Sequence, residues 1–182
     1  MKLRLALALL LLQAAGAATL PRPAGDLAIN TGPGKQIHLS QYKGKTVVVA
    51  FILTYCSHCQ NAIRALIKMQ NEFGARGVQV VATATEETAA ASLPGFLKTF
   101  APNFPVGYNN AGEFMSFMQH SPMLVPYMPG LMFIDKNGVI QAQYEGRDPC
   151  LEESATETNI RAKLTEMLRA GQAAKPAPGK KK

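Results

Sequence analysis

A chain of 182 residues with 47% hydrophobic content is long enough to close a core, which excludes a fibrous or wholly disordered protein. Three cysteines are too few for a disulfide scaffold of this length, and their odd number leaves at least one thiol unpaired or joined to another chain. The net charge of +7 does not make a nucleic-acid binder: Lys2, Arg4, Lys175, Lys180, Lys181 and Lys182 lie at the two ends, and without them 13 cations face 12 acids.

Residues 1–18 read as a signal peptide. Lys2 and Arg4 give a basic start, an almost pure Leu/Ala run continues to Leu12, and small residues from Ala14 to Ala18 offer a cleavage site. The rival reading is an uncleaved anchor, but the run is shorter than the ~20 residues of a spanning helix. The expected location is therefore extracytoplasmic or periplasmic, with membrane contact only through this segment if it is retained. Residues 19–34 contain Pro21, Pro23, Gly25, Gly32, Pro33 and Gly34 and are predicted to be a linker, with a short extended piece around Leu27–Ile29. The folded domain is expected over 35–170 and a disordered basic tail over 171–182.

Within the domain, Ile37 and Leu39 alternate with polar residues and predict an edge strand. Thr46 to Leu53 is an unbroken β-branched run, the pattern of a strand buried on both faces. After Cys56 the period changes: Ile63, Leu66, Ile67 and either Gln70 or Met69 fall at helical spacing, and Gly74 and Gly77 end it. Val78 to Thr83 is a second strand, so strand–helix–strand predicts a right-handed crossover and a parallel pair. Glu86 to Phe100 reads as a helix broken at Pro94-Gly95, and Gly112 to Gln119 as another helix. Leu131–Ile134 and Val139–Tyr144 form a hairpin turned at Asp135-Lys136-Asn137-Gly138. Glu152 to Arg169 is a helix with Ile160, Leu164, Met167 and Leu168 inward.

The chemistry is carried by Cys56-Ser57-His58-Cys59, placed where a buried strand hands over to a helix. A helix N-terminus presents unpaired N–H groups and a dipole that favour an anion, and the thiolate is the nucleophilic form of cysteine. A second cysteine one turn on can attack a mixed disulfide formed at the first. His58, if cationic, would stabilise that anion further. Structural zinc requires four ligands, and no second Cys/His pair accompanies this one.

The run from Leu39-Ser40 through Gly44-Lys45 and the strand to Tyr55-Cys56-Ser57-His58-Cys59 resembles the TlpA/ResA-like branch of exported thioredoxin-fold proteins. Asn103-Phe104-Pro105-Val106 and Pro129 to Ile140 look like later landmarks of that branch. The resemblance covers about Leu27 to Arg147. It implies an α/β thioredoxin-like fold, with a mixed central sheet flanked by helices and a TlpA-type insertion before the Pro129 strand. It further implies thiol–disulfide exchange with protein thiols and disulfides through Cys56 and Cys59, and an upstream redox partner. No cofactor is implied beyond the Cys56–Cys59 redox disulfide. Pro129 takes the place of the family's cis-proline, preceded by Met128, whose backbone would pair with substrate; Pro126 is the competitor. Tyr55, Ser57 and His58 tune the site. Three departures stand out: Tyr55 replaces the usual Trp, Ala50 replaces the buried acid of thioredoxins, and Gln60-Asn61-Ala62-Ile63 replaces the usual Glu and Pro. They argue against a dedicated apocytochrome c reductase and leave general exchange intact.

Two further features are open. Met115, Met118, Met123, Met128 and Met132 gather in sequence around His120, and thioethers favour Cu(I). The alternative function is thus a Sco-like copper chaperone using Cys56, Cys59 and His120, although Sco cysteines stand three residues apart. Against it, methionine commonly fills irregular core. A peroxidase is the weakest reading, since the Pro-x-x-x-Thr-x-x-Cys pattern is missing. Cys150 reads as an inert thiol, with a regulatory or intermolecular disulfide as its alternative.

Overall fold

In chain order the elements are β1 (Arg22–Pro23), β2 (Ala28–Gly32), β3 (Lys35–His38), β4 (Thr46–Ile52), α1 (Ser57–Phe73), β5 (Val78–Ala84), α2 (Ala89–Phe100), β6 (Val106–Tyr108), α3 (Ala111–Met118), β7 (Gly130–Ile134), β8 (Val139–Tyr144) and α4 (Thr156–Ala173). They come from a computed structural model that describes residues 18–173. The expected signal segment through residue 17 and the expected tail beyond Ala173 lie outside the described residues.

All seven residues of β4 are buried. Side chains alternate along a strand, so Val48, Ala50 and Ile52 enter one apolar cluster while Val47, Val49 and Phe51 enter another. The first cluster packs under α1, α2 and α4 through Ile63, Leu66, Leu93, Phe96, Ile160 and Leu164. The second packs against α3 and the N-terminal segment through Phe114, Met118, Leu27 and Ile29. With helices on both faces, β4 needs an unbroken apolar run rather than alternation. Each fully buried Phe, Ile or Leu contributes about 1.5–3 kcal/mol.

One eight-stranded mixed sheet runs in the order β1-β8-β7-β4-β5-β6-β2-β3. β4 and β5 are parallel, in register from Thr46↔Val78 to Ile52↔Ala84, with α1 as the crossover. β7 lies antiparallel on the other side of β4, where Phe51 faces Gly130. β8 returns beside β7 through a turn in which Gly138 takes φ 79° and the Asp135 carboxylate accepts the N–H groups of Asn137 and Val139. The fold is thus the expected thioredoxin-like α/β arrangement, and α2, β6 and α3 stand between the second core strand and the Pro129 strand.

Two expectations are corrected. The segment 19–34 is not a linker: β1 pairs with β8, β2 pairs with both β3 and β6, and Leu27 and Ile29 are core residues. Its prolines mislead because Pro23 lies on the outermost strand, where a missing N–H is tolerated. Nor does Pro94 break its helix: α2 runs continuously through it. Proline there leaves the carbonyl of Ala90 without its helical donor, but Ala90 is exposed, while Leu93 and Phe96 hold the helix to the core.

Candidate active site

The site forms where β4 ends. Leu53 to Tyr55 turn the chain out of the sheet, and Cys56 becomes the N-cap of α1 with extended backbone (φ −81°, ψ 121°). Its carbonyl accepts the N–H of Gln60 at 2.9 Å, and its Sγ accepts the N–H of Cys59 at 3.4 Å. The sulfur thus occupies the capping position, where the helix dipole favours negative charge.

The two cysteines differ in environment. Cys56 is half-buried, whereas Cys59 is fully buried among the residues under α1. The Cys59 Sγ accepts the N–H of Leu53 at 3.4 Å. Burial pushes the Cys59 thiol far above its ordinary range, and the neighbouring Cys56 sulfur and Glu86 carboxylate push it the same way. Neither cysteine is in a disulfide in this structure. One sulfur can be reached from outside; the other is held back as a protonated thiol one turn below.

Tyr55, Ser57 and His58 are exposed around Cys56, and Tyr55 shows 71% of its surface. The Met128–Pro129 peptide is cis and opens β7, beside the end of β4. Met128 packs partly against both clusters, and the N–H of Gly146 donates to the carbonyl of Tyr127 at 2.9 Å. Met123, Leu124 and Val125 are exposed on the approach to Tyr127, whose ring lies 3.6 Å from the Arg147 guanidinium. Two cavities lie at the other end of the sheet, around Asp135 and Lys136, away from the sulfurs.

His120 is not brought to the cysteines as a free ligand. Its Nδ1 lies 2.7 Å from Glu145 Oε1 and its Nε2 lies 3.1 Å from the Leu124 carbonyl, so both ring nitrogens are engaged. The methionines around it disperse: Met118 and Met132 are core, Met115 and Met128 half-buried, Met123 85% exposed. Among the described residues no three His, Cys, Asp or Glu side chains converge as a metal site. Cys150 sits in the turn Pro149–Leu151, where burial, with Asp148 adding to it, pushes its thiol up, the opposite of activation.

Residues 20–143 match the AhpC/TSA family. The chain belongs to the AhpC/TSA family. Over 125 residues it is 26% identical to the thiol-disulfide oxidoreductase ResA of Bacillus thuringiensis subsp. konkukian, covering 69% of each chain. Over 95 residues it is 30% identical to ResA of Bacillus subtilis, covering 52% of each. Its fold superimposes on a crystal structure of a thioredoxin-family thiol:disulfide interchange protein from Chlorobium tepidum, with a TM-score of 0.64 over 81% of this chain and 99% of that one. At 22% identity this likeness concerns the fold alone. The AhpC/TSA match begins at residue 20 and so takes in β1 and β2.

Within this AhpC/TSA chain, three residues join the site that the cysteine motif did not single out. Thr54 donates both its N–H, at 3.2 Å, and its hydroxyl to Glu86 Oε1. Gln60, in the first turn of α1, donates to the Thr54 carbonyl at 2.9 Å. Glu86 follows β5, so it stands at the carboxyl end of the parallel pair, where α/β sheets gather functional residues. That rule was the one signal in the sequence that could have found it.

Proposed function

We propose that the chain is an exported thiol–disulfide oxidoreductase that exchanges disulfides with protein substrates through Cys56 and Cys59. The observation that carries the reading is the pairing of a half-buried sulfur at a helix N-cap with a fully buried thiol one turn on. The names of the ResA relatives support it.

In the reductive direction the Cys56 thiolate attacks one sulfur of a substrate disulfide. A Cys56–substrate disulfide forms and the other substrate sulfur leaves as thiolate. Cys59, as thiolate, then attacks Cys56 Sγ, releasing the second substrate sulfur and closing Cys56–Cys59. The substrate gains the two electrons that the dithiol loses, and an upstream redox partner resets the pair. Tyr55, Ser57 and His58 form the exposed rim that meets the partner, and a cationic His58 would favour the attacking anion. The backbone of Met128, whose carbonyl oxygen lies against Gly146, would pair with an extended substrate strand beside Pro129.

The export half of the reading rests on the N-terminal composition. Single substitutions test the chemical half: Cys59→Ser accumulates mixed disulfides with protein substrates, and Cys56→Ser abolishes insulin reduction. Full activity in Cys56→Ser removes the proposal.

A further inference from the structure

Glu86 carries a feature that the exchange scheme does not use. Its Oε1 takes two donors from Thr54, the arrangement suited to a carboxylate anion, while its Oε2 is buried with no hydrogen-bond partner. A buried carboxylate oxygen without a donor is costly unless the site needs it. The nearby group with a proton to lose is Cys59, whose thiol burial raises most and the Glu86 charge raises further. The consecutive amides of Leu53 and Thr54 tie the two together, the first donating to the Cys59 sulfur and the second to the Glu86 carboxylate. Ala50, fully buried on β4, supplies no acid from beneath.

Cys59 must ionise to resolve a mixed disulfide, and its surroundings oppose that. Among the described residues, the titratable groups that act on its sulfur are Cys56, from the N-cap, and Glu86, from the segment between β5 and α2. Once Cys56 is bonded to substrate it can hold no proton. Glu86 is then the acceptor within the site.

We propose that Glu86 is the base that receives the Cys59 proton when Cys59 resolves the mixed disulfide, an assignment that rests on the exchange reading above. The proton passes from Cys59 Sγ to the Glu86 carboxylate. The Cys59 thiolate bonds to Cys56 Sγ, and the bond between Cys56 and the substrate sulfur breaks with its electron pair on the substrate. The departing thiolate takes a proton from Glu86 or water. In the oxidising direction Glu86 returns the proton to Cys59 as the disulfide opens. Thr54 is a positioning residue that fixes Glu86 Oε1 through its N–H and its hydroxyl.

The test uses the reduced full chain carrying Cys150→Ser and Ellman's reagent. The first thionitrobenzoate release reports attack by Cys56, and the second reports resolution by Cys59. In E86Q the first release keeps its rate, while the second slows about 100-fold near neutral pH, within the range of a general base. That deficit shrinks as pH rises and hydroxide replaces the carboxylate. A second release with unchanged rate and pH profile overturns the assignment, as does an equal slowing of both releases, which would mark a structural role. Should E86Q fail to fold, T54V keeps the carboxylate and removes one donor: its second release moves to higher pH, and an unmoved profile overturns the proposal. Absence of any first release from the parent chain sinks the exchange reading itself, a result distinct from failure of Glu86.

Discussion

The Sγ of Cys56 accepts the backbone N–H of Cys59 at 3.4 Å, so the partly exposed sulfur caps the helix that buries the other. Because Cys59 is fully buried, a reagent reaches it only after local opening. Brief treatment of the reduced chain with iodoacetamide at neutral pH should label Cys56 more than about tenfold faster than Cys59, since labelling of Cys59 waits on that opening. Peptide mass spectrometry reads the ratio, and equal labelling would contradict the asymmetry on which attack and resolution are assigned.

The same burial makes stability depend on pH in a defined direction. The folded state keeps the Cys59 proton at pH values where an unfolded thiol, with a pKa of about 8.5, has lost it. The associated stabilisation is fully present below that value and declines as pH rises above it, by about 1.4 kcal/mol per pH unit for one proton. Tyr42, Tyr144 and Cys150 are raised by burial too and add slope of the same sign. The difference between the reduced chain and Cys59→Ala isolates the Cys59 share. Urea unfolding at pH 7 and pH 10 should show a steeper loss in the parent, and parallel losses would refute it.

The core of the fold was legible because its signals are local. The β-branched run of β4, the helical period of α1 and the Gly138 turn each lie within a short stretch of consecutive residues. β2 was legible only in part: the extended piece at Leu27–Ile29 overlaps it, but its pairing through Asn30 with Tyr108, some 80 positions away, leaves no local signal, and the preceding Pro21, Pro23 and Gly25 have the composition of a linker. Yet Ile29 is 1% exposed in the second apolar cluster. Ile29→Ala should cost about 2–5 kcal/mol in chemical denaturation, as for other buried large-to-small changes. A cost near zero would return the segment to the status of a linker. Glu86 was hidden for a related reason: only the parallel register that sets Ile52 beside Ala84 brings it to Thr54.

His120 illustrates how a residue type can mislead. Its side chain is buried, with Glu145 on one nitrogen and the Leu124 carbonyl on the other. It therefore ties the exposed Met123–Val125 stretch to the end of β8. His120→Ala removes a buried ring and its two bonds, to Glu145 and to the Leu124 carbonyl, and should cost about 1–3 kcal/mol. Amide exchange should accelerate over residues 121–127, while the Cu(I) stoichiometry of the reduced chain stays that of the parent. Loss of a tight copper site in this variant would favour the chaperone reading instead.

Gly146 tests whether the Met128–Pro129 segment docks protein substrates. A Cβ at residue 146 would lie 2.3 Å from the Met128 carbonyl oxygen, a backbone atom that can yield only if the segment before Pro129 moves. Nothing at Gly146 itself demands glycine by its dihedral angles, so the effect of alanine comes from this contact. Gly146→Ala should lower turnover of a protein disulfide by about 10–100-fold, the scale of a misplacement near 1 Å. The first release from Ellman's reagent should stay at the parent rate, because a small disulfide needs the Cys56 sulfur and not the strand beside it. If protein and small-molecule disulfides lose rate together, the segment supports the sulfur rather than the substrate. If neither loses rate, substrate pairs elsewhere on the exposed rim.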